Sequence, residues 1–333
     1  MRITVFGAGS WGCALAHQMA RRGQDVLLWA LEPEVAEGIN TDHRNPIFLT
    51  DAELHPAIRA TSDLESAANH SRVWIWVVPV QFSRSVMDKL AAFLTDDVAV
   101  ISASKGIETD SLRRMDEVAE DALGISADRF CCLSGPTFAI GVVRGDPSAA
   151  VLACRDIDLA TELQGEFSDH YLRFYVGRDL IGVELAGALK NVVAIAAGII
   201  DGLGLGANTQ AALMTRGLHE ITRLGVALGA EADTFRGLAG MGDLVLTSTS
   251  ALSRNRQVGK RLGQGESLEA ILGSMREVAE GVKTTPAAAK LAENLGIEMP
   301  ITFAMTAILG GEIAPKDALK MLMTRQLKVE TQL

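Results

Sequence analysis

Lys190 is a charged residue in an apolar stretch of the sequence, and this position suggests a catalytic role. It is followed on the same predicted helix by small apolar residues, Val193, Ala194 and Ala197. Burying an ammonium group among such residues costs free energy unless the group has a partner or a function. A desolvated lysine also gives up its proton readily, which suits a general acid or base. The alternative is a side chain that runs along the apolar face and carries its charge to solvent.

Other polar residues stand in turns and at a helix start of the same half of the chain. Asp243 follows a glycine and precedes an apolar stretch, so its carboxylate fits either chemistry or a helix cap. Ser253, Arg254 and Asn255 stand at a predicted helix start. An arginine presents a planar fork suited to phosphate, and a helix N-terminus adds N–H donors. The alternative for this cluster is a solvated basic face.

Two further turns follow predicted strands in the first half. Lys105 comes just after the strand predicted at residues 98–103, and Gly135 and Thr137 follow the next strand. In an open parallel sheet the carboxyl ends of the strands face the ligand crevice. We therefore expect Lys105 to face a cofactor or substrate, with the second turn at the same edge.

A glycine-rich turn, Gly-Ala-Gly-Ser-Trp-Gly at residues 7–12, opens the chain between an apolar strand and a helix. Gly7 permits a tight turn, Gly9 lets the backbone approach a pyrophosphate, and Gly12 lets the helix pack on the strand. The pyrophosphate then lies at the helix N-terminus, where N–H groups and the dipole favour an anion. The turn predicts dinucleotide binding.

Glu32 follows the second strand, where such folds carry the residue that senses the ribose. Its carboxylate can accept hydrogen bonds from both ribose hydroxyls and would repel a 2′-phosphate. Of NADH and NADPH, Glu32 therefore favours NADH. The alternative is a solvated acid on a loop.

Residues 1–178 alternate β-rich runs with segments of helical length, which predicts an α/β doubly wound parallel sheet of the Rossmann type. The predicted strands are residues 2–6, 25–29, 73–78, 98–103, 130–133, 149–153 and 173–175. The predicted helices are residues 12–22, 81–94, 111–123 and 156–168. Several strands are apolar on both faces, as expected for parallel strands covered by helices.

Residues 179–333 lose the strand pattern and predict an all-helical second domain, with glycine-rich breaks at residues 202–206, 237–242 and 263–265. The predicted helices are residues 183–200, 210–228, 253–262, 267–272, 285–295, 301–309 and 315–323. This division assigns the dinucleotide to the first domain and the substrate and catalysis to the second.

The bulk composition narrows the class of protein. The chain of 333 residues is 48% hydrophobic and 22% charged, typical of a globular protein. Its formal net charge of −10 argues against general nucleic-acid binding. The N-terminus does not resemble a secretory signal, and the apolar runs at residues 73–80 and 192–200 are too short to span a membrane.

The cysteine and histidine patterns indicate a reduced protein without a metal site. The four cysteines show no CxxC spacing, and the six histidines are scattered without ligand spacing. We therefore expect buried, reduced cysteines, a cytoplasmic location and no metal. The apolar helical domain suggests a homodimer. The cysteines are Cys13, Cys131, Cys132 and Cys154.

Seven segments, taken together, resemble the bacterial NAD(P)-dependent sn-glycerol-3-phosphate dehydrogenases. They are G-A-G-S-W-G-C-A-L-A from residue 7, S-K-G-I-E from 104, S-G-P-T-F-A from 134, G-V-E-L-A-G-A-L-K-N-V-V-A-I-A-A-G from 182, A-L-M-T-R-G-L from 212, G-D-L-V-L-T from 242 and S-R-N-R from 253. The resemblance covers nearly the whole chain, and the block around Lys190 is far more specific than the glycine turn.

The resemblance implies a Rossmann-type domain followed by a helical domain of the 6-phosphogluconate dehydrogenase C-terminal type. It implies reversible hydride transfer between NAD(P)H and dihydroxyacetone phosphate, which gives sn-glycerol 3-phosphate for phospholipid synthesis. The implied partner is thus a small phosphorylated substrate, with neither nucleic acid nor membrane insertion.

The resemblance also implies roles for individual residues. Lys190 matches the family's catalytic lysine and would donate the proton to the substrate oxygen. Lys105 would polarise that oxygen or help to hold the substrate, and Asp243 would orient the lysines and bind a substrate hydroxyl. The implied substrate contacts are Lys105, Gly135, Thr137, Lys190, Asp243, Ser253, Arg254 and Asn255. The implied cofactor contacts beside the glycines are Ser10, Trp11, Lys105, Ala139, Arg254, Val278 and Glu280.

The chain departs from the family pattern at three places. Leu31 and Glu32 stand where the family often has arginine, which removes the natural partner of a 2′-phosphate. Residues 140–141, Ile-Gly, replace an acid that follows the S-G-P-T-F-A block. Val80 replaces a small hydroxyl residue that is common near the cofactor.

Two other functions fit parts of the sequence. A two-domain dehydrogenase for a 3-hydroxy acid or sugar acid would share the glycine turn and the helical-domain lysine, but not the phosphate-fitting cluster at residues 253–255. A non-enzymatic module that senses NAD would bind the dinucleotide without turnover and would tolerate the loss of Lys190.

Overall fold

The structure is a computed structural model, and it describes residues 1–275, 278–327 and 329–330. The chain forms two compact units. Unit 1 comprises Met1–Lys105 and Arg114–Val183, and unit 2 comprises Gly106–Arg113 and the chain from Glu184 onward. The short segment Gly106–Arg113, which the predicted division at residue 178 places in the first domain, thus belongs to unit 2.

Unit 1 is built on an eight-stranded sheet with the strand order β3-β2-β1-β4-β5-β6-β7-β8. The strands are β1 (Arg2–Phe6), β2 (Asp25–Trp29), β3 (Arg59–Thr61), β4 (Val73–Trp76), β5 (Ala99–Ser102), β6 (Phe130–Ser134), β7 (Ser148–Cys154) and β8 (Leu172–Gly177). Strand β4 lies in the interior of the sheet. Its consecutive residues Trp74, Ile75 and Trp76 are each at most 1% exposed, so both faces of the sheet are covered at this strand. This confirms the predicted Rossmann-type sheet with helices on both sides.

The helices of unit 1 follow most of these strands in alternation. They are α1 (Ser10–Arg21), α2 (Pro33–Asp42), α3 (Leu64–His70), α4 (Val80–Leu90), α5 (Met115–Leu123), α6 (Ala139–Arg144) and α7 (Ile157–Phe167). A 3-10 turn, Ala91–Phe93, follows α4, and another, Ala127–Arg129, precedes β6. The sequence prediction missed α2, α3, α6 and β3, because these are short elements with little apolar periodicity.

One pair of strands departs from the predicted parallel sheet. Strands β6 and β7 run antiparallel, with Cys131 opposite Cys154. The connecting helix α6 has only 6 residues and spans about 9 Å. Strand β7 has 7 residues, about 23 Å, so α6 is too short to return the chain for a parallel pair.

Unit 2 is helical, as predicted. Its helices are α8 (Leu180–Gly202, which begins at the end of unit 1), α9 (Ala207–Ala227), α10 (Asp243–Thr249), α11 (Arg254–Gly263), α12 (Leu268–Gly273), α13 (Gly281–Leu295), α14 (Pro300–Leu309) and α15 (Pro315–Met323). The predicted break at residues 237–242 was wrong in part, since Leu238–Gly242 forms a π-helical turn that leads into α10. The prediction also missed α10 itself and the 3-10 turn Ala232–Arg236.

Helix α8 is the central element of unit 2. It is the one helix among the described residues that is long and apolar enough to cross a membrane, and its most apolar window is entirely buried in the protein, as in a core helix. Helix α11 packs closely on it, because a Cβ at Gly259 would overlap the carbonyl oxygen of Ile195. Because Gly259 has no side chain, the two backbones can approach closely. The close approach lets Asn191 of α8 and Asn255 of α11 form a hydrogen bond.

All four cysteines are buried and carry free thiols, as the sequence predicted for reduced residues. Burial raises the pKa of the Cys13 thiol to about 12, so this group stays neutral. Cys131 and Cys154 occupy facing positions on β6 and β7.

Candidate active site

Lys190 and Asp243 form a buried ion pair in unit 2. The Lys190 Nζ donates to Asp243 Oδ1 at 2.7 Å, and the two residues are only 6% and 1% exposed. The prediction that Lys190 is buried with a partner is therefore confirmed, and the alternative in which it reaches solvent is wrong. A pair buried so completely loses hydration on both sides, so removing one partner leaves the other charge uncompensated.

Thr247 completes this cluster. Its Oγ1 accepts a hydrogen bond from Lys190 Nζ at 2.7 Å and donates to Asp243 Oδ1 at 3.1 Å. The hydroxyl and the carboxylate lie one turn apart on α10, so a single helix positions both acceptors. The sequence analysis missed Thr247, although the spacing of four residues from Asp243 was the signal that could have found it.

Asp243 is the first residue of α10 and not its cap. The N-cap position is occupied by Gly242, and no side chain caps this helix. Its Oδ1 accepts hydrogen bonds from Lys190 Nζ and from the hydroxyl of Thr247. The cap alternative from the sequence is therefore wrong, and the carboxylate is directed at the lysine.

A second polar chain links α8, α11 and the start of α13. Asn255 Nδ2 donates to Asn191 Oδ1 at 2.9 Å, and the backbone N–H of Gly281 donates to Asn255 Oδ1 at 3.0 Å. Asn191 and Asn255 are 5% and 9% exposed. These bonds define which way each amide points, and Asn191, next to Lys190, is a second site residue that the sequence analysis missed.

The structure brings Arg254 and Val278 together. Arg254 opens α11, and its Nη1 donates to the carbonyl oxygen of Val278 at 3.0 Å. Glu280 is the N-cap residue of α13. Ser253 is the N-cap of α11, and its Oγ accepts from the N–H of Arg256, so this hydroxyl has a structural task.

The dinucleotide turn of unit 1 has the geometry that the sequence predicts. Gly7 has a φ of +108°, a conformation that favours glycine, and its N–H donates to Trp29 O at 3.1 Å. A Cβ at Gly12 would overlap the Gly7 carbonyl oxygen, whereas a Cβ at Gly9 would meet no atom within 4 Å. The backbone is therefore closely packed at Gly12 and has open space beside Gly9.

The start of α1 fits an anionic group of a dinucleotide. Gly9 is its N-cap, no side chain caps the helix, and first-turn N–H groups find no acceptor within a helix. The indole Nε1 of Trp11 is buried without a hydrogen-bond partner. These features are those of a site that accepts a polar ligand at the turn.

Lys105, Gly135 and Thr137 lie together at one edge of the sheet. The Lys105 Nζ is 3.5 Å from the carbonyl oxygen of Gly135, which also accepts from the N–H of Thr137 at 2.9 Å. Ala139 begins α6, just beyond this turn, and packs on the core of unit 1. The structure thus brings together the predicted ligand residues of these neighbouring turns.

Glu32 lies at the N-terminus of α2. It is three residues beyond Trp29, whose carbonyl oxygen accepts from the N–H of Gly7. It is the N-cap residue and is half-buried, but its side chain makes no cap hydrogen bond. The carboxylate is therefore not used to cap the helix. Leu31, beside it, is 70% exposed.

In the part of the chain that the structure describes, no group of three His, Cys, Asp or Glu residues could hold a metal ion. The chemistry of the cluster in unit 2 is that of an ammonium held by a carboxylate and a hydroxyl.

Comparison with known proteins identifies the family. The model for the N-terminus of NAD-dependent glycerol-3-phosphate dehydrogenase matches residues 2–160, and the model for its C-terminus matches residues 179–320. The chain belongs to the NAD-dependent glycerol-3-phosphate dehydrogenase family. It is thus an oxidoreductase that uses a nicotinamide cofactor, and the resemblance noted in the sequence is confirmed.

Similar proteins match the chain over its whole length. It is 52% identical over 330 residues to "Glycerol-3-phosphate dehydrogenase [NAD(P)+]" of Nitratidesulfovibrio vulgaris, covering 99% of this chain and 100% of that one. The protein of the same name from Geobacter sulfurreducens is 50% identical over 99% of this chain and 98% of its own. The solved glycerol-3-phosphate dehydrogenase of Coxiella burnetii has a TM-score of 0.93 at 35% identity, covering 97% of this chain and 99% of that chain. The solved structure confirms the fold of each unit.

Proposed function

We propose that this family member reversibly reduces dihydroxyacetone phosphate to sn-glycerol 3-phosphate with NAD(P)H. The observation that carries the proposal is the buried Lys190–Asp243 pair, with Nζ and Oδ1 2.7 Å apart. A ketone accepts a proton on oxygen when it is reduced, and a lysine held charged inside the protein is a group suited to donate it.

The cofactor would be held by residues of unit 1 around the dinucleotide turn. The pyrophosphate fits the N-terminus of α1, beside Trp11, and the open side of Gly9 leaves space for it. Glu32 supports a preference for NADH, since a carboxylate pairs with ribose hydroxyls and repels a 2′-phosphate. The bound cofactor supplies the hydride. The further proposed cofactor contacts, taken from the resemblance in the sequence, are Lys105, Ala139, Arg254, Val278 and Glu280.

The proton would move from Lys190 Nζ to the substrate oxygen and return there in the oxidation direction. Asp243 and Thr247 accept hydrogen bonds from Lys190 Nζ and so direct its N–H groups. After donation the lysine recovers a proton from water, so that one proton and one hydride are consumed in each reduction. Lys105 would stabilise the negative charge that develops on the same oxygen.

The phosphate would be bound by Arg254 and Asn255 at the start of α11, together with Ser253. A guanidinium and helix N–H groups bind an oxyanion well, and Asn255 is oriented by its bond to Asn191. The hydroxyl of Ser253 accepts from Arg256 N and can still donate its O–H to a phosphate oxygen. Gly135 and Thr137 are further proposed substrate contacts.

We also propose the setting of the reaction. The product would supply glycerol phosphate for phospholipid synthesis, in the cytoplasm, without contact to nucleic acid and without insertion into a membrane. The free, buried thiols support a reducing compartment. The apolar helices of unit 2 support a homodimer as the working form.

The deciding experiment measures NADH oxidation with dihydroxyacetone phosphate for the wild type, Lys190→Ala and Lys290→Ala. Lys290 lies in unit 2 with its side chain 62% exposed, so it is a matched control. We expect Lys190→Ala to lower kcat by about 10²–10⁴-fold or more, the range of general acid catalysis, and Lys290→Ala to leave kcat unchanged. Retained activity in folded Lys190→Ala would remove the lysine from the reaction, and a wild type that binds NADH without turnover would indicate a sensing module.

A further inference from the structure

Asn45 is a completely buried amide in the loop that joins α2 to β3. Its exposed fraction is 0%, and it lies in unit 1 with the dinucleotide turn. The Oδ1 accepts hydrogen bonds from the backbone N–H groups of Ile47 at 3.0 Å and Phe48 at 2.9 Å. One half of the amide thus holds its own loop in a tight local turn.

The other half of the amide reaches the glycine turn. Asn45 Nδ2 donates to the carbonyl oxygen of Ala8 at 2.7 Å and lies 3.2 Å from the Sγ of Cys13. Cys13 Sγ in turn lies 3.5 Å from the same Ala8 oxygen. Ala8 stands between Gly7 and Gly9, so this bond connects the loop to the middle of the dinucleotide turn.

The bond to Ala8 sets the direction of the next N–H group. A peptide unit is planar, and in its trans form the carbonyl oxygen and the following N–H point in opposite directions. When Asn45 holds the Ala8 oxygen toward the protein interior, the N–H of Gly9 is turned to the other side. That N–H belongs to the N-cap residue of α1, where an anion would be bound.

A second bond joins the same two segments. Ser10 Oγ donates to the carbonyl oxygen of Phe48 at 2.6 Å. The N–H of Phe48 donates to Asn45, and the carbonyl oxygen of Phe48 accepts from Ser10. The loop is therefore linked to the glycine turn through Asn45 and to the start of α1 through Phe48. Glycine turns are intrinsically mobile, and a cross-link of this kind reduces the conformations that the turn must give up on binding.

We propose that Asn45 is a positioning residue for the cofactor: its buried amide holds the Ala8 carbonyl so that the turn presents its N–H groups to the dinucleotide pyrophosphate. The inference rests on the proposed function only in requiring that a dinucleotide binds at this turn. It concerns affinity for the cofactor and is independent of the chemistry at Lys190.

Two variants distinguish the role of the Asn45 Nδ2 group, which donates to Ala8, from that of Oδ1, which accepts from the loop N–H groups. Asn45→Ala removes both, whereas Asn45→Asp keeps an acceptor for the loop N–H groups, loses the donor to Ala8 and places a second acceptor oxygen against the Ala8 carbonyl oxygen. Asn40→Ala is the matched control, since Asn40 Nδ2 and Oδ1 bond the carbonyl and N–H of Ala60 at 2.9 and 2.8 Å, away from the turn. Thermal unfolding verifies that each variant is folded.

Binding of NADH and of ADP-ribose is measured by titration, together with KM for NADH and for dihydroxyacetone phosphate. We expect both Asn45 variants to raise the Kd of NADH and of ADP-ribose by about 10-fold or more, the effect of one lost buried hydrogen bond, with KM for dihydroxyacetone phosphate unchanged. ADP-ribose carries the pyrophosphate without the nicotinamide, so it reports on the turn alone.

The proposal is overturned if folded Asn45→Asp or Asn45→Ala binds both ligands like the wild type, or if Asn40→Ala weakens them equally. Weaker NADH binding with unchanged ADP-ribose binding would also overturn it. A wild type that binds neither ligand would instead contradict the proposed function, so the two failures are distinguishable.

Discussion

Lys190 Nζ lies 2.7 Å from Asp243 Oδ1, and both side chains are almost completely buried. A buried ion pair contributes little net stability, because the lost hydration offsets the attraction between the charges. Stability therefore does not explain the pair, whereas the proposed proton donation to a bound ketone does. Thr247 is part of the same cluster and leads to the first prediction.

Thr247→Val should reduce kcat by about 10-fold, because it removes one hydrogen bond to Lys190 and one to Asp243 while keeping the side-chain volume. Steady-state rates with saturating substrates measure the change. The control is Thr249→Val on the same helix, where the hydroxyl only bonds the carbonyl oxygen of Val245. An unchanged kcat in Thr247→Val would show that the hydroxyl does not direct the lysine.

Arg254→Ala should raise KM for dihydroxyacetone phosphate much more than KM for unphosphorylated dihydroxyacetone, because the phosphate is the only part of the substrate that the guanidinium is proposed to bind. The ratio of kcat/KM for the two substrates is the measurement. Arg256→Ala is the control, since Arg256 bonds Asp201 at 3.0 Å and has no proposed ligand contact. If the wild type turns over the two substrates equally, Arg254 has no role in phosphate binding.

Glu32→Arg should shift cofactor preference from NADH toward NADPH, since it replaces a repelling carboxylate with a partner for the 2′-phosphate. The ratio of kcat/KM for the two cofactors is compared in wild type, Glu32→Arg and Glu34→Arg, the last an exposed acid in the first turn of α2. A wild type that strongly prefers NADPH would show that Glu32 does not exclude the phosphate.

Because the carboxyl group of Glu220 is buried, we expect the free energy of unfolding to depend on pH. Its carboxylate is buried on α9 and accepts from the N–H groups of Ile301 and Thr302 at 2.7 and 3.1 Å, at the start of α14. Burial raises its pKa from 4.5 to about 7, although these donors and Arg223 act in the opposite direction. Between these two pH values the folded protein holds a proton that the unfolded chain has lost.

The free energy of unfolding should therefore fall as pH rises from about 4.5 to 7, by on the order of 3 kcal/mol from this group. Glu220→Gln should remove that slope, because glutamine does not titrate. Urea unfolding at several pH values tests this, with the exposed Glu293→Gln as control. An equal slope in wild type and Glu220→Gln would contradict the assignment.

Much of unit 1 could be predicted because its signals are local. Strands β1 and β2 lie where the alternation of apolar runs and turns places them, and the conformation of Gly7 follows from its position in the glycine turn. The antiparallel β6–β7 pair could not be predicted in this way, since the direction of a strand depends on the length of a helix, α6, that has only a weak signal.

The sequence by itself determined the fold class, the dinucleotide turn and the candidate residues Lys190, Lys105 and Arg254, because residue type and short spacing carry that information. Only the tertiary structure decided what each of them touches. In unit 2, Lys190 bonds Asp243 and Thr247, and Asn191 bonds Asn255. In unit 1, Asn45 bonds the carbonyl oxygen of Ala8. All of these contacts join residues far apart in the chain. Such contacts depend on how helices and loops pack, which local sequence patterns do not encode.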